Sequence, residues 1–116
     1  MPANMDEAFS RRIHLEIEFP LPDEDARKRL WRGAIPADAP VAADIDIGFL
    51  ARMFPLSGGE IRNVSLSAAF LAAYEQQPIG MDQLVRSVAR QRRRQGKLPT
   101  AAEFRDYLRL VRAEGG

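Results

Sequence analysis

The sequence predicts a mainly α-helical domain, a small bundle of about five helices preceded by one short β-strand. Three observations carry this. Apolar residues recur at i, i+3, i+4 and i+7, as in Ile47, Leu50, Ala51 and Phe54, the spacing of one helix face. Ser57 with Glu60, and Thr100 with Glu103, have the spacing of capping boxes that open helices. A single stretch, Ile13-His14-Leu15-Glu16-Ile17-Glu18-Phe19, alternates with period two, as a half-buried strand does.

The elements follow in order. Pro20 and Pro22 end the strand, because proline cannot donate to a ladder. One strand cannot satisfy its own backbone groups, so it is expected to need partners that the rest of this chain does not supply. His14 falls on its polar side with Glu16 and Glu18 and reads as an exposed histidine. Asp23, Glu24 and Asp25 place acids in the first turn of the first helix, where they favour the macrodipole. Ala26, Leu30 and Trp31 give that helix its apolar side, and Gly33 is expected to stop it. Residues 34–43, with Pro36 and Pro40, read as a loop. Asp46 is an expected N-cap for the second helix.

The third helix starts at Ser57. Its body carries Val64, Leu66, Ala68, Ala69, Phe70, Leu71, Ala72 and Ala73. It is apolar almost all round, so it is expected to be central and buried on most sides. Met81, Leu84, Val85, Val88 and Ala89 form the stripe of a fourth helix, which Gly96 and Pro99 end. Thr100 opens a last helix with Phe104, Tyr107, Leu108 and Val111 on one side.

Composition excludes several function classes. The 116 residues suffice for one core. There is no cysteine and one histidine, which excludes disulfides, zinc-thiolate sites and a Cys nucleophile and argues against a histidine metal site or a Ser-His-Asp triad. No run of apolar residues is long enough to span a bilayer, and no secretory signal is visible. An intracellular, cytoplasmic protein is expected. Net charge is +1, but residues 1–82 carry net −5 and residues 83–116 net +6. The basic part centres on Arg90, Arg92, Arg93, Arg94 and Lys97. It is either a solvated helix face or a surface that meets phosphate or an acidic protein. No aromatic residues interleave it, so nucleic acid is not the expected partner.

Two places carry more than packing. Arg11 and Arg12 are adjacent and stand just before the strand. Arginine offers a planar fork of donors suited to phosphate; a plain surface pair is the alternative. In Ser57-Gly58-Gly59-Glu60-Ile61-Arg62-Asn63, two glycines weaken the first helical turn. They leave bare backbone amides that a ligand can approach, and Arg62 follows within one turn. The alternative is a plain interhelical turn.

The ordered set Asp6-x-Ala8-Phe9-x-Arg11-Arg12, strand, Phe19-Pro20-x-Pro22-Asp23, Arg27, Trp31, Asp46, Leu50-Ala51, Phe54, Ser57-Gly58-Gly59-x-Ile61-Arg62-Asn63, Ala68-Ala69 resembles the C-terminal part of an AAA+ ATPase module. It is most similar to bacterial members of the AAA group in the narrow sense. The resemblance covers about residues 3 to 94. It implies that Arg11 and Arg12 are arginine fingers, the catalytic residues that reach the γ-phosphate of ATP on a neighbouring subunit and stabilise the phosphoryl transition state. It implies that residues 1–22 end the large nucleotide-binding subdomain, that 23–96 are the helical lid and that 97–116 are an extra C-terminal helix. Gly58 and Gly59 match the lid segment near the adenine, and Arg62 lies near the sensor-2 region. By the same resemblance, Asn4 is expected in the segment after sensor 1.

The departures are equally definite. The sequence holds no Gly-x-x-x-x-Gly-Lys-Ser/Thr and no apolar strand ending in a paired Asp-Glu. The phosphate cradle and magnesium site are therefore absent, and this chain alone is expected not to hydrolyse ATP. It is expected to be a piece that begins just before the arginine fingers. The resemblance implies a parent that is a ring-forming, hexameric ATPase, with ATP and Mg²⁺ as cofactors and an unnamed protein substrate to remodel. The alternative function is a free-standing helical module that binds an acidic protein or nucleic acid through its basic face.

Overall fold

The computed structural model describes residues 21–115; Arg11, Arg12, His14 and the expected strand lie outside them. The helices are α1 (Glu24–Ala34), α2 (Ile47–Met53), α3 (Gly58–Glu75), α4 (Met81–Arg94), α5 (Ala101–Phe104) and α6 (Leu108–Gly115), with one 3₁₀ turn, Arg105–Tyr107, between the last two. The described residues are a helical bundle, as the apolar periodicity requires.

The caps of α2, α3 and α5 are where the sequence places them, while Asp23, expected as a first-turn acid, is itself the N-cap of α1. Asp23 accepts from Ala26 N–H at 2.8 Å and Asp46 from Phe49 N–H at 2.9 Å. At α3 the Ser57 hydroxyl accepts from Glu60 N–H at 3.2 Å while Glu60 accepts from Ser57 N–H at 2.9 Å. Each bond satisfies an amide that a helix start leaves without an intrahelical partner. Thr100 accepts from Glu103 N–H at 3.2 Å.

Trp31, Leu50, Phe54, Ile61, Leu84 and Val88 are fully or almost fully shielded and bring α1 to α4 into one core. Phe104 and Val111, from the segment set apart at 97–116, are buried in that same core. The Phe104 ring lies 5.0 Å from that of Phe54. Arg27 ties the chain's entry to the bundle: its side chain donates to the carbonyls of Ala51 and Pro22, both at 2.6 Å. The loop before α2 is pinned by a parallel bridge, with Ala42 N–H donating to Ile79 at 2.8 Å and Ile79 N–H to Pro40 at 2.9 Å.

Three expectations need correction. Gly33 does not stop α1, which runs on to Ala34 and ends at Ile35 in extended conformation. Pro36 follows, and a residue before proline is driven out of the helical region. The last helix is not continuous: Arg105 interrupts it at φ 50°, and no glycine or proline marks the break. The residues before the break serve Arg92 and Phe54, and Tyr107 after it packs on Phe49 at 5.1 Å. Finally, α3 is not buried on most sides. Leu66, Phe70 and Tyr74 are 51%, 68% and 87% exposed. The packing partners of α3, α1 and α4, cover the side bearing Ile61, Val64, Ala68 and Ala72, so its opposite apolar side stays open.

Candidate functional site

A cleft of about 220 Å³ opens between the last turns of α1 and the start of α3, lined by Arg29, Leu30, Gly33, Ala34, Gly58 and Arg62. Helical spacing builds both walls. Arg29 with Gly33, Leu30 with Ala34, and Gly58 with Arg62 are each four residues apart, so each pair shares a helix face. The structure thus brings Gly58 and Arg62 together, and Gly59 stands beside them in the same turn. Arg11 and Arg12 lie outside the described residues.

The capping box shapes this wall. It occupies the amides of Ser57 and Glu60 and leaves those of Gly58 and Gly59 directed out of the helix end. That end carries the positive pole of an 18-residue helix. Burial acts to raise the Glu60 carboxyl, but hydrogen bonds from Ser57, Gln95 and Gln91 outweigh it and hold the group below its ordinary value. The Glu60 charge is therefore kept for the cap. The cleft itself is walled by two exposed arginines over an apolar floor.

Sequence reasoning finds only half of this site. It assigns Leu30 to the apolar side of a helix and Gly33 to its end, and gives Arg29 no role. The i, i+4 pairing of Arg29 with Gly33 is legible as a shared face. Its position opposite Gly58 is not, because that depends on how α1 and α3 cross.

The other polar regions are used by the fold. The cleft at the α3–α4 turn, about 580 Å³, holds Asp44, Glu75, Asp82 and Arg86. Arg86 reaches Glu75 at 2.7 Å and Asp82 at 2.6 Å, and Asp44 accepts from Met81 N–H at 3.2 Å. The side-chain hydrogen bond from Arg86, foremost, holds the Glu75 carboxyl below its ordinary value. The basic stretch is also partly consumed. Arg92 is buried, paired with Glu103 and placed over the Phe54 ring. Arg93 donates to the Val111 carbonyl at 3.1 Å. Arg90, Arg94 and Lys97 remain exposed, a thinner basic face than the sequence suggests.

Among the described residues no three acidic or histidine side chains cluster as metal ligands, and no helix is long and apolar enough to cross a membrane. No family model matches the chain. A stretch of 72 residues is 39% identical to the katanin p60 ATPase-containing subunit A1 of Strongylocentrotus purpuratus. It covers 61% of this chain and 14% of that protein. The similarity supports an AAA+ ATPase-derived region. The relative is an animal protein, so the bacterial affinity stays an expectation.

Proposed function

We propose that this chain acts as the helical lid of an AAA+ ATPase that remodels a protein substrate in the cytoplasm as a ring, with six subunits in the family's usual form. The observation that carries the reading is the division of α3. Its first turn forms one wall of the glycine cleft, and its outer face bears the exposed Leu66, Phe70 and Tyr74. These three are spaced four apart, so they form one line along the helix. An exposed apolar stripe of this kind marks an interaction surface. A rigid helix joining a ligand cleft to a docking stripe converts occupancy of one into movement of the other.

The cleft residues fit an adenine nucleotide. Leu30 and Ala34 offer an apolar floor, Gly58 a bare amide and Arg62 a positive charge, with Gly59 in the same helical turn. ATP with Mg²⁺, held for the most part by residues outside this chain, supplies the phosphoryl chemistry. The fingers assigned by resemblance, Arg11 and Arg12, stabilise charge on it from the neighbouring subunit. The stripe docks on that neighbour.

The test uses the full-length gene product. Arg11→Ala or Arg12→Ala should cut ATP turnover by about 10³-fold or more while ATP binding is retained. Phe70→Asp should abolish ring assembly in sedimentation. Normal assembly of Phe70→Asp together with normal turnover of both arginine variants would refute the reading.

A further inference from the structure

Two features of the C-terminal segment are unfavourable, and a single movement relieves both. The first is in the backbone. Arg105 stands between α5 and α6 at φ 50° and ψ −123°, a conformation open to glycine but costly for a residue with a Cβ. Such strain persists only where the surroundings over-determine it. The local sequence favours the opposite. Thr100 and Glu103 start a helix, and Phe104, Tyr107, Leu108 and Val111 keep helical spacing. No glycine or proline lies among residues 100–111. The preference of the segment itself is one unbroken helix.

The second is a charge. Arg92 is buried, and its Nε has no hydrogen-bond partner among the described residues. Glu103 satisfies only the far end of the guanidinium. A buried cation that is partly bonded offsets some of what its pair contributes. The contacts that hold the segment lie on both sides of the bend. Before it, Glu103 pairs with Arg92 and the Phe104 ring lies 5.0 Å from that of Phe54. After it, Tyr107 packs on Phe49 at 5.1 Å and the Val111 carbonyl accepts from Arg93 at 3.1 Å. These partners belong to α2, its C-cap Phe54, and α4.

We propose that the segment from Thr100 onward is a strap with two states. Docked, it is bent at Arg105 and covers Phe49, Phe54 and Arg92. Released, it straightens through Arg105 into one helix and opens that face of the bundle. Release returns Arg105 to a helical φ and gives the Arg92 guanidinium to water, so both costs vanish together. Burial of Phe104 and Val111 opposes release and keeps the docked state in the majority.

The 116-residue chain has no cysteine, so a single buried thiol reports opening. Val111→Cys places one on the buried side of the strap, and Val88→Cys places one in the core on α4. Each is read by its rate of labelling with a soluble disulfide reagent, without denaturant. Val111→Cys should label at least about tenfold faster than Val88→Cys. In the Val111→Cys chain, Arg105→Gly should slow labelling about fivefold, since glycine relieves the docked bend and weakens the released helix. Arg105→Ala does neither and should stay within about twofold. Glu103→Ala should speed labelling about thirtyfold. In a chain carrying both Glu103→Ala and Phe104→Ala, the NMR shift of the Arg105 Cα should move into the helical range.

Equal labelling of the two thiols would mean that the segment leaves only when the whole bundle unfolds, which overturns the strap. Labelling that Arg105→Gly does not slow would mean that the bend is not the switch point, which overturns it as well. A random-coil Arg105 shift in the doubly substituted chain, with the amides of α3 and α4 in their parent positions, would mean release by melting and overturn the straightened state.

Discussion

The two arginine-bearing regions of this bundle use their charges in opposite ways. At the C-terminal end of α4, Arg92 is buried against Glu103 and Phe54, and Arg93 is bonded to the Val111 carbonyl. There the fold takes up these two cations. At the α1–α3 cleft, Arg29 and Arg62 are exposed beside glycines that packing does not require. In sequence the α4 region reads as either a solvated face or a binding surface, and the fold takes up two of its five cations, Arg92 and Arg93. The α1–α3 region has the character of a helix end and a turn, yet its two arginines, Arg29 and Arg62, stay exposed beside a cleft. A run of like charges in the sequence therefore does not tell which of its members the fold takes up.

The comparison breaks most visibly at the aromatic residues. Phe104 is fully buried against Phe54, whereas Phe70 is 68% exposed. Phe104→Ala should cost about 3–5 kcal/mol, through lost transfer energy and the cavity left behind. A small domain has total stability of about 5–15 kcal/mol, so much of it would go. Phe70→Ala should fall within about 0.5 kcal/mol of the parent. Urea unfolding of the two variants checks this. Similar losses would mean that the exposed stripe of α3 is part of the core.

Charge sharpens the same contrast. Glu103→Ala leaves the buried Arg92 without its carboxylate. Breaking a buried pair from one side costs about 3–5 kcal/mol. Glu103 is 27% exposed, so about 2 kcal/mol is the expected loss here. Arg29→Ala and Arg62→Ala should each change stability by less than about 0.5 kcal/mol. Guanidinium would screen the pair, so urea is the denaturant of choice.

Much of the fold is legible in the amino-acid order, and the reasons are local. Asp46, Ser57 and Thr100 cap the helices they are expected to cap, because capping depends on residues within one turn. The stripe from Met81 to Ala89 is buried as its period requires. What cannot be read depends on distant partners. Nothing near Phe70 or Tyr74 in sequence tells that α1 and α4 cover only the other side of α3. Nothing near Arg92 names Glu103, and Arg105 carries no breaker signal. The site divides in the same way: Gly58 and Arg62 share a helix face and are found together, while Arg29 and Gly33 join them only through the packing of α1 on α3.

The smallest effect concerns the cap that shapes the cleft. Burial acts to raise the Glu60 carboxyl, yet hydrogen bonds from Ser57, Gln95 and Gln91 outweigh it, so the folded group sits below the ordinary glutamate value. Unfolding frees it to titrate at about 4.3. The unfolded chain then binds the proton more readily than the folded one below that point. Stability from this group is therefore fully present at neutral pH and is lost as pH falls from about 5 through the folded value. Ser57→Ala removes the hydroxyl that accepts from Glu60 N–H. It should cost about 1 kcal/mol at pH 7 and make the acid limb of the stability profile shallower. Arg62→Ala, on the same helix turn but outside the cap, should leave that limb unchanged. A Ser57→Ala profile parallel to the parent between pH 3 and 5 (about the range over which glutamate titrates) would mean that the cap does not depend on the Glu60 charge. The amides of Gly58 and Gly59 would then be oriented by the helix alone.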